Sequence, residues 1–346
     1  MKKFLSYMKI IIPDSVKAII KKLIPLGLIK KYRSKTYIID LVGSCNLKCP
    51  SCPSGSYMKM NPYGYMNEDL FEKIVKRISI EDPFTTVALY NWTEPMLHTK
   101  LPEFIQILNK YELQSTLSSN LNILKNVENF AKSNPTHLTI SLSGFTQDIY
   151  EVGHRGGDIE IVKENMSVLS RALKKYNSST NVTVYYHKYK HNTHEVKIMQ
   201  KFAEDLGFNF GSGWAYYMPI ERVLEYKNNK LIAEEKKFIK NNIALDLNNV
   251  IEKSMQFKNE ECSLQENIIT MNHKGDIQLC CGVYDYNKFT IGHYLDMSTD
   301  EIIRKIKQNS FCKTCKANAL HVYSTWHNYP ELQDVFNKNA EDNLNV

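Results

Sequence analysis

From Lys35 onward the chain alternates short runs of β-branched and apolar residues with longer stretches in which apolar positions recur every three to four residues. The first pattern is that of strands and the second that of helices with one buried face, so together they predict a parallel α/β fold. Six strand-helix units can be drawn. The predicted strands cover 36–42, 85–91, 114–118, 137–143, 181–188 and 209–217, and the predicted helices 68–78, 101–111, 123–132, 159–176 and 194–206. Six units make an incomplete, TIM-like (β/α)6 barrel. An Asn- and Lys-rich helical stretch, 221–258, reads as a connector, after which cysteines become dense and the alternation stops. The expected organisation is therefore an arm over 1–34, a barrel over 35–218, a connector over 219–260 and a small β-hairpin and helix domain over 261–346.

In the arm, Val16, Ile19, Ile20, Leu23 and Ile24 share one helical face while Lys17, Lys21 and Lys22 take the other, and Pro25 and Gly27 should end the helix. Lys9, Pro13, Lys17, Lys21, Lys22 and Pro25 interrupt every apolar run short of the roughly 20 residues a bilayer span needs. Lys9 also breaks the apolar region of a secretory signal, and no small-x-small cleavage site follows, so a cytoplasmic chain is expected. Two readings of the arm stay open: a helix lying on the anionic inner face of a membrane, or a helix docked on its own domain.

Composition narrows the function class. With 43% hydrophobic and 23% charged residues among 346, the chain is globular rather than disordered or fibrous. Its net charge of +7 is concentrated in residues 1–35, where ten Lys/Arg face the single acid Asp14, leaving the rest near neutrality. A nucleic-acid groove, which needs basic residues clustered on the body itself, is not expected.

The eight cysteines form two groups, Cys45, Cys49, Cys52 and Cys262, Cys280, Cys281, Cys312, Cys315. Close paired spacings in a chain without an export signal point to metal rather than disulfides. Cys45-Asn-Leu-Lys-Cys49-Pro-Ser-Cys52 places three thiolates on one loop directly after the first strand. A structural zinc site closes with four ligands and would need a remote fourth here, whereas an iron–sulfur cube can leave one iron open.

This CxxxCxxC loop resembles that of the radical S-adenosylmethionine (radical SAM) enzymes, and the resemblance continues at successive strand ends. Asn91-Trp92-Thr93-Glu94-Pro95 is similar to the family's Gly-Gly-Glu-Pro segment, without its glycines, and implies Glu94 as acceptor for the methionine amino group. Ser118-Ser119-Asn120 resembles the turn that reaches the nucleoside, and Ser141-Leu142-Ser143-Gly144 the segment that contacts the ribose. Arg155, in His154-Arg-Gly-Gly157, resembles the Arg that pairs with the methionine carboxylate. Ser51 departs from the pattern, since the family usually carries an aromatic before the third Cys. Taken singly, the plainer readings are a helix cap for Glu94, turn residues for Asn120 and Ser143, and a surface cation for Arg155.

Cys262, Gly275-x4-Cys280, Thr290-Ile-Gly292, a helix over 300–307 and Cys312-Lys-Thr-Cys315 resemble the SPASM/twitch extensions of the same family. Where the full SPASM version continues with cysteines this chain has His321 and Thr325, which implies one auxiliary 4Fe-4S cluster; zinc is the alternative. Cys281 is left over, as a packed thiol, as the ligand in place of Cys280, or as a catalytic hydrogen donor to a substrate radical. The resemblance implies an oxidoreductase that cleaves S-adenosylmethionine reductively and abstracts hydrogen from an unactivated C–H, with flavodoxin or ferredoxin as electron donor. It points to a carbohydrate or cyclitol that is dehydrogenated or epimerised, with a ribosomally made peptide as the alternative substrate. His187, His191 and His194 read as a polar strand end. Among Tyr185, Tyr186, Trp214, Tyr216 and Tyr217, alternation should turn some toward the barrel interior and the rest into core.

Overall fold

The computed structural model describes residues 35–56 and 62–344. The helix expected in the arm lies outside them. Residues 36–344 belong to one compact unit built on a mixed nine-stranded sheet, ordered β6-β5-β4-β3-β2-β1-β7-β8-β9. The strands are β1 (Thr36–Ile39), β2 (Thr86–Ala88), β3 (Gln114–Ser119), β4 (His137–Leu142), β5 (Asn181–Lys188), β6 (Asn209–Trp214), β7 (Ile268–Met271), β8 (Asp276–Gln278) and β9 (Thr290–His293). β1 to β6 run parallel in sequence order, and β7 continues the parallel pairing from the other edge of β1. β8 and β9 then add an antiparallel meander. The C-terminal strands are thus joined to the first strand through backbone hydrogen bonds, extended by the Asp40 N–H donating to the Met271 carbonyl at 3.0 Å.

Each expected helix forms, with local reasons for its limits. Glu68–Glu81 starts at Asn67, whose side chain accepts from the Asp69 and Leu70 N–H groups. Ile159–Lys175 starts at Asp158 in the same manner. The helix expected from 123 begins only at Val127, because Asn126 adopts a left-handed backbone with φ 50. The expected strands 36–42 and 85–91 stop at Ile39 and Ala88, where the backbone turns to form site loops. The connector is three helices, Ile220–Lys227, Ala233–Asn242 and Leu247–Ser254. They pack with Leu320–Ser324 and Pro330–Asp342 around a second core containing Trp214, Tyr217 and Tyr323.

Burial alternates along the strands and assigns the two faces of the sheet. Leu117, Leu138, Ile140, Val182, Val184 and Tyr186 are buried in one core with Phe71, Phe104 and Met166 of the helices. The opposite face of the same strands presents Thr116, Ser118, Thr139, Ser141, Thr183 and His187, all half-buried, with Tyr185 at 36% exposure. Register puts them side by side: Ser118 neighbours Thr139, Thr139 neighbours Thr183, and Ser141 neighbours Tyr185. One side of the sheet is mainly hydrocarbon, with Ser115 and Ser119 of β3 buried among it, and the other is a rank of hydroxyls. Among the described residues no helix is long and apolar enough to cross a membrane.

The Phe71 and Phe104 rings, both fully buried with centroids 4.5 Å apart, anchor the helical layer. Phe104→Ala should therefore lower the unfolding free energy by about 3–5 kcal/mol in urea titration. Ile80, 73% exposed, should change it by less than about 0.5 kcal/mol when replaced by Ala. Equal effects at the two positions would contradict the layer assignment.

Candidate functional site

The three cysteines following β1 lie on a loop with little freedom. The Leu47 N–H donates to Cys45 Sγ at 3.5 Å, and the Cys52 and Gly55 N–H groups donate to the Cys49 and Cys52 carbonyls at 3.1 Å each. A Cβ at Gly55 would meet the Cys49 backbone at 2.5 Å, so only glycine permits this approach. Burial pushes the Cys45 thiol up to about 12 and those of Cys49 and Cys52 upward as well; mutual repulsion adds to the rise at Cys45 and Cys49. As free groups the three stay protonated. They become ligands when a cationic centre compensates three sulfur charges in a desolvated place, the donor set an iron–sulfur cluster takes.

The strand-end residues gather at this loop. Glu94, 3% exposed, accepts the Met96 N–H with Oε1 and the Asn120 N–H with Oε2, both at 2.9 Å. It therefore caps the turn Pro95–Leu97, the plainer reading of the residue, and also ties the β2 end to the β3 end. The Ser119 side chain also lies close enough to favour the carboxylate, so about one of its roughly four lone-pair sites remains. Asn120 Nδ2 donates to Asn46 Oδ1 at 3.0 Å and reaches Cys45 Sγ at 3.8 Å. The Arg155 carbonyl accepts the Lys48 N–H at 2.9 Å, and its exposed guanidinium stands near enough to Cys49 to favour that thiolate. Asn91 gives its N–H to Asp40 at 2.8 Å, while its buried Nδ2 has no partner.

Ser141 and Ser143 part company. Ser141, on the hydroxyl face, meets His187 Nε2 at 2.9 Å. Ser143 is fully buried, with Oγ 2.7 Å from His154 Nδ1 and its carbonyl accepting from Asn192 Nδ2 at 2.8 Å. Burial lowers His154 to about 3 and His187 to about 4, so both rings are neutral near pH 7. Tyr185 lies over β6, where a Cβ at Gly213 would come within 2.1 Å of its Oη, while Tyr186, Trp214 and Tyr217 are core. His191 stacks on Tyr189 at 5.6 Å, and His194 sits in the turn Thr193–Glu195.

Asp40, Ser54 and Tyr189 carry no motif and were not foreseen. Asp40, 1% exposed, accepts from the Asn91 N–H at 2.8 Å, Thr93 Oγ1 at 2.5 Å and Tyr286 Oη at 3.0 Å. This carboxylate shapes the segment that lacks the expected glycines. Trp92 Nε1 donates to the Val283 carbonyl at 3.0 Å, and Ser54 Oγ to the Trp92 carbonyl. Tyr189, at the end of β5, shares a 2.9 Å hydrogen bond with Ser51 and so sets an aromatic ring beside the cysteine loop.

The second cysteine group lines a cavity that Cys262, Cys280, Cys312 and Cys315 share with Gln265 and His321. Cys312 and Cys315 lie one turn apart on the helix Ser310–Ala317. Cys281 is absent from the lining; its thiol interacts with Cys280 and feels Tyr90 and Tyr216. Among the described residues no three or more His, Cys, Asp or Glu side chains are grouped to hold a single metal ion; an iron–sulfur cluster differs in taking its protein ligands one to an iron.

Burial raises the Glu94 carboxyl to about 7, against about 4.3 for glutamate in an unfolded chain. The folded state then binds the extra proton, so metal-free protein should lose on the order of 3 kcal/mol of stability as pH rises across that window. Glu94→Gln should remove this component of the slope in denaturant titrations, and an unchanged slope would contradict the assignment.

Residues 39–199 match the Radical SAM superfamily. No curated protein sequence matches the chain. Among solved structures, SuiB of Streptococcus suis bound to S-adenosylmethionine is similar at TM-score 0.54 and 13% identity, covering 85% of this chain and 74% of that one. The anSMEcpe structure with bound S-adenosylmethionine is similar at TM-score 0.54 and 15% identity, covering 90% and 98%. BtrN in complex with S-adenosylmethionine and 2-DOIA gives TM-score 0.48 and 16% identity, covering 83% and 89%. The likenesses to SuiB and anSMEcpe concern the fold alone. Residues 39–199 therefore carry a radical SAM superfamily domain.

Proposed function

We propose that β1 to β6 form a partial (β/α)6 barrel whose hydroxyl-lined face receives S-adenosylmethionine and a carbohydrate or cyclitol, from which an unactivated C–H loses its hydrogen. The observation that carries this reading is the junction of Cys45, Cys49, Glu94, Asn120 and Arg155 at the ends of successive parallel strands. An unbroken parallel strand order puts all crossover helices on one side, leaving the other to curl around a ligand.

Cys45, Cys49 and Cys52 would hold a 4Fe-4S cluster, and Cys262, Cys280, Cys312 and Cys315 an auxiliary one. When bound, the first cluster and S-adenosylmethionine supply a 5′-deoxyadenosyl radical able to take hydrogen from carbon. The chain's own residues bind and orient. Glu94 would turn its remaining lone-pair site to the methionine ammonium, and the Arg155 guanidinium would pair with the methionine carboxylate. Asn91 and Asn120 offer amides toward the same ligand, and Ser141 offers a hydroxyl to the ribose. Ser143, whose hydroxyl is taken by His154, positions rather than touches. Covering the site with the C-terminal segment through Trp92, Val283 and Tyr286 keeps water from the reacting carbon.

The hydroxyl rank Thr116, Ser118, Thr139, Ser141 and Thr183, with neutral His187, suits a polyhydroxylated substrate, since each donor or acceptor matches a sugar or cyclitol hydroxyl. Cys281, outside the auxiliary cavity though in contact with Cys280, would return a hydrogen atom to the substrate radical and be re-reduced by the electron donor, which gives epimerisation; where the auxiliary cluster instead takes the radical's electron and a proton leaves, the outcome is dehydrogenation. Flavodoxin or ferredoxin is the expected electron donor, and the basic arm a peripheral membrane contact.

Anaerobic reconstitution with iron and sulfide should give a brown protein. The Cys45/Cys49/Cys52→Ala triple variant should then lose one cluster's worth of iron and all 5′-deoxyadenosine formation. Label from a deuterated cyclitol or sugar should appear in 5′-deoxyadenosine, whereas transfer only from a peptide would overturn the substrate class. An unchanged iron content in the triple variant would overturn the cluster assignment.

A further inference from the structure

The cavity lined by the four C-terminal thiols contains a fifth donor. His321, on the helix Leu320–Ser324, lines it beside Cys262, Cys280, Cys312 and Cys315 and is 2% exposed. Its Nε2 lies 3.1 Å from the Glu260 carbonyl oxygen. A carbonyl oxygen can only accept, so Nε2 carries the ring hydrogen and Nδ1 presents a bare lone pair. That Nδ1 is buried and has no hydrogen-bond partner.

Nearby donors are occupied elsewhere. Lys316 Nζ, from the same cavity wall, pairs with Glu261 at 3.2 Å, and the Gln265 side chain lies near enough to Cys312 to favour its thiolate. The residue itself is fixed. Its carbonyl accepts from Thr325 Oγ1 at 2.6 Å and Ser324 Oγ at 3.1 Å. Leaving a buried acceptor unpaired costs about 1–3 kcal/mol, and more than nine-tenths of buried polar groups avoid it. An imidazole whose other N–H is held by a backbone carbonyl is the arrangement in which histidine binds metal.

We infer that His321 Nδ1 is a ligand of the metal group held in this cavity, replacing one of the four thiolates on one iron. The inference rests on the auxiliary-cluster reading above. Exchanging a thiolate for a neutral imidazole removes one negative charge from the centre and makes it easier to reduce. The auxiliary centre would then sit at a higher potential than an all-thiolate one.

The test uses full-length protein grown with ¹⁵N-histidine, reconstituted anaerobically and reduced. The Cys45/Cys49/Cys52→Ala variant isolates the auxiliary signal, and should that variant fail to fold, the labelled wild type is compared with its His321→Ala counterpart. Pulsed electron paramagnetic resonance should show the coupling of a directly bound ¹⁵N, lost in His321→Ala. His321→Cys should keep the cluster while shifting its midpoint potential downward. A reduced cluster without histidine nitrogen coupling would overturn the inference while leaving the auxiliary cluster standing. Absence of any second cluster signal, or zinc in its place, would overturn both.

Discussion

Three sulfurs on one short loop, each in surroundings that oppose its ionisation, set the terms for the rest of the molecule. Burial and mutual repulsion hold these thiols above their ordinary range, and the nearest compensating charge is a single exposed guanidinium, Arg155. Such a loop has little reason to exist as free thiols. It is also held from every side, by the missing Cβ of Gly55, the Ser54 to Trp92 contact, the Lys48 to Arg155 backbone bond and the Ser51 to Tyr189 pair. Preorganisation of this kind spends folding free energy on a geometry that only a bound cationic group rewards.

The same loop is where the two halves of the chain meet. β7 pairs with β1 directly beneath it, and Asp40 at the end of β1 binds both the β2 loop and Tyr286 of the C-terminal segment. Trp92 reaches the same segment through Val283. A shift of the C-terminal cysteines would thus be felt by the loop that carries Glu94 through one buried carboxylate and one indole N–H. Through the pairing of β7 with β1, the segment that carries the second cysteine group continues the same sheet.

Much of this was legible in the sequence because it is periodic or sharply spaced. Alternation in 137–143 and 181–188 named the strands, and CxxxCxxC named the loop, since few chemistries need three sulfurs at that spacing. What escaped had no local signature. Asp40 is one carboxylate among many until folding brings Asn91, Thr93 and Tyr286 around it. The tyrosine that partners Ser51 lies 138 positions away, at the end of β5. Ser143 looked like an open hydroxyl, yet the side-chain period of two turns Ser141 to the open face while Ser143, beyond the strand end, is drawn inward by His154. Strand ends were overestimated because apolar residues such as Leu41 and Leu89 continue into loops that are themselves buried.

The central claim is that three sulfurs leave one iron open to chelate a small ligand. The direct measurement is electron-nuclear double resonance on the reduced protein with S-adenosylmethionine labelled at its amino nitrogen and carboxylate oxygen. The account predicts hyperfine coupling from both labels to a cluster that the Cys45/Cys49/Cys52→Ala variant lacks. A reduced cluster whose spectrum shows neither coupling and does not change on adding S-adenosylmethionine would contradict it.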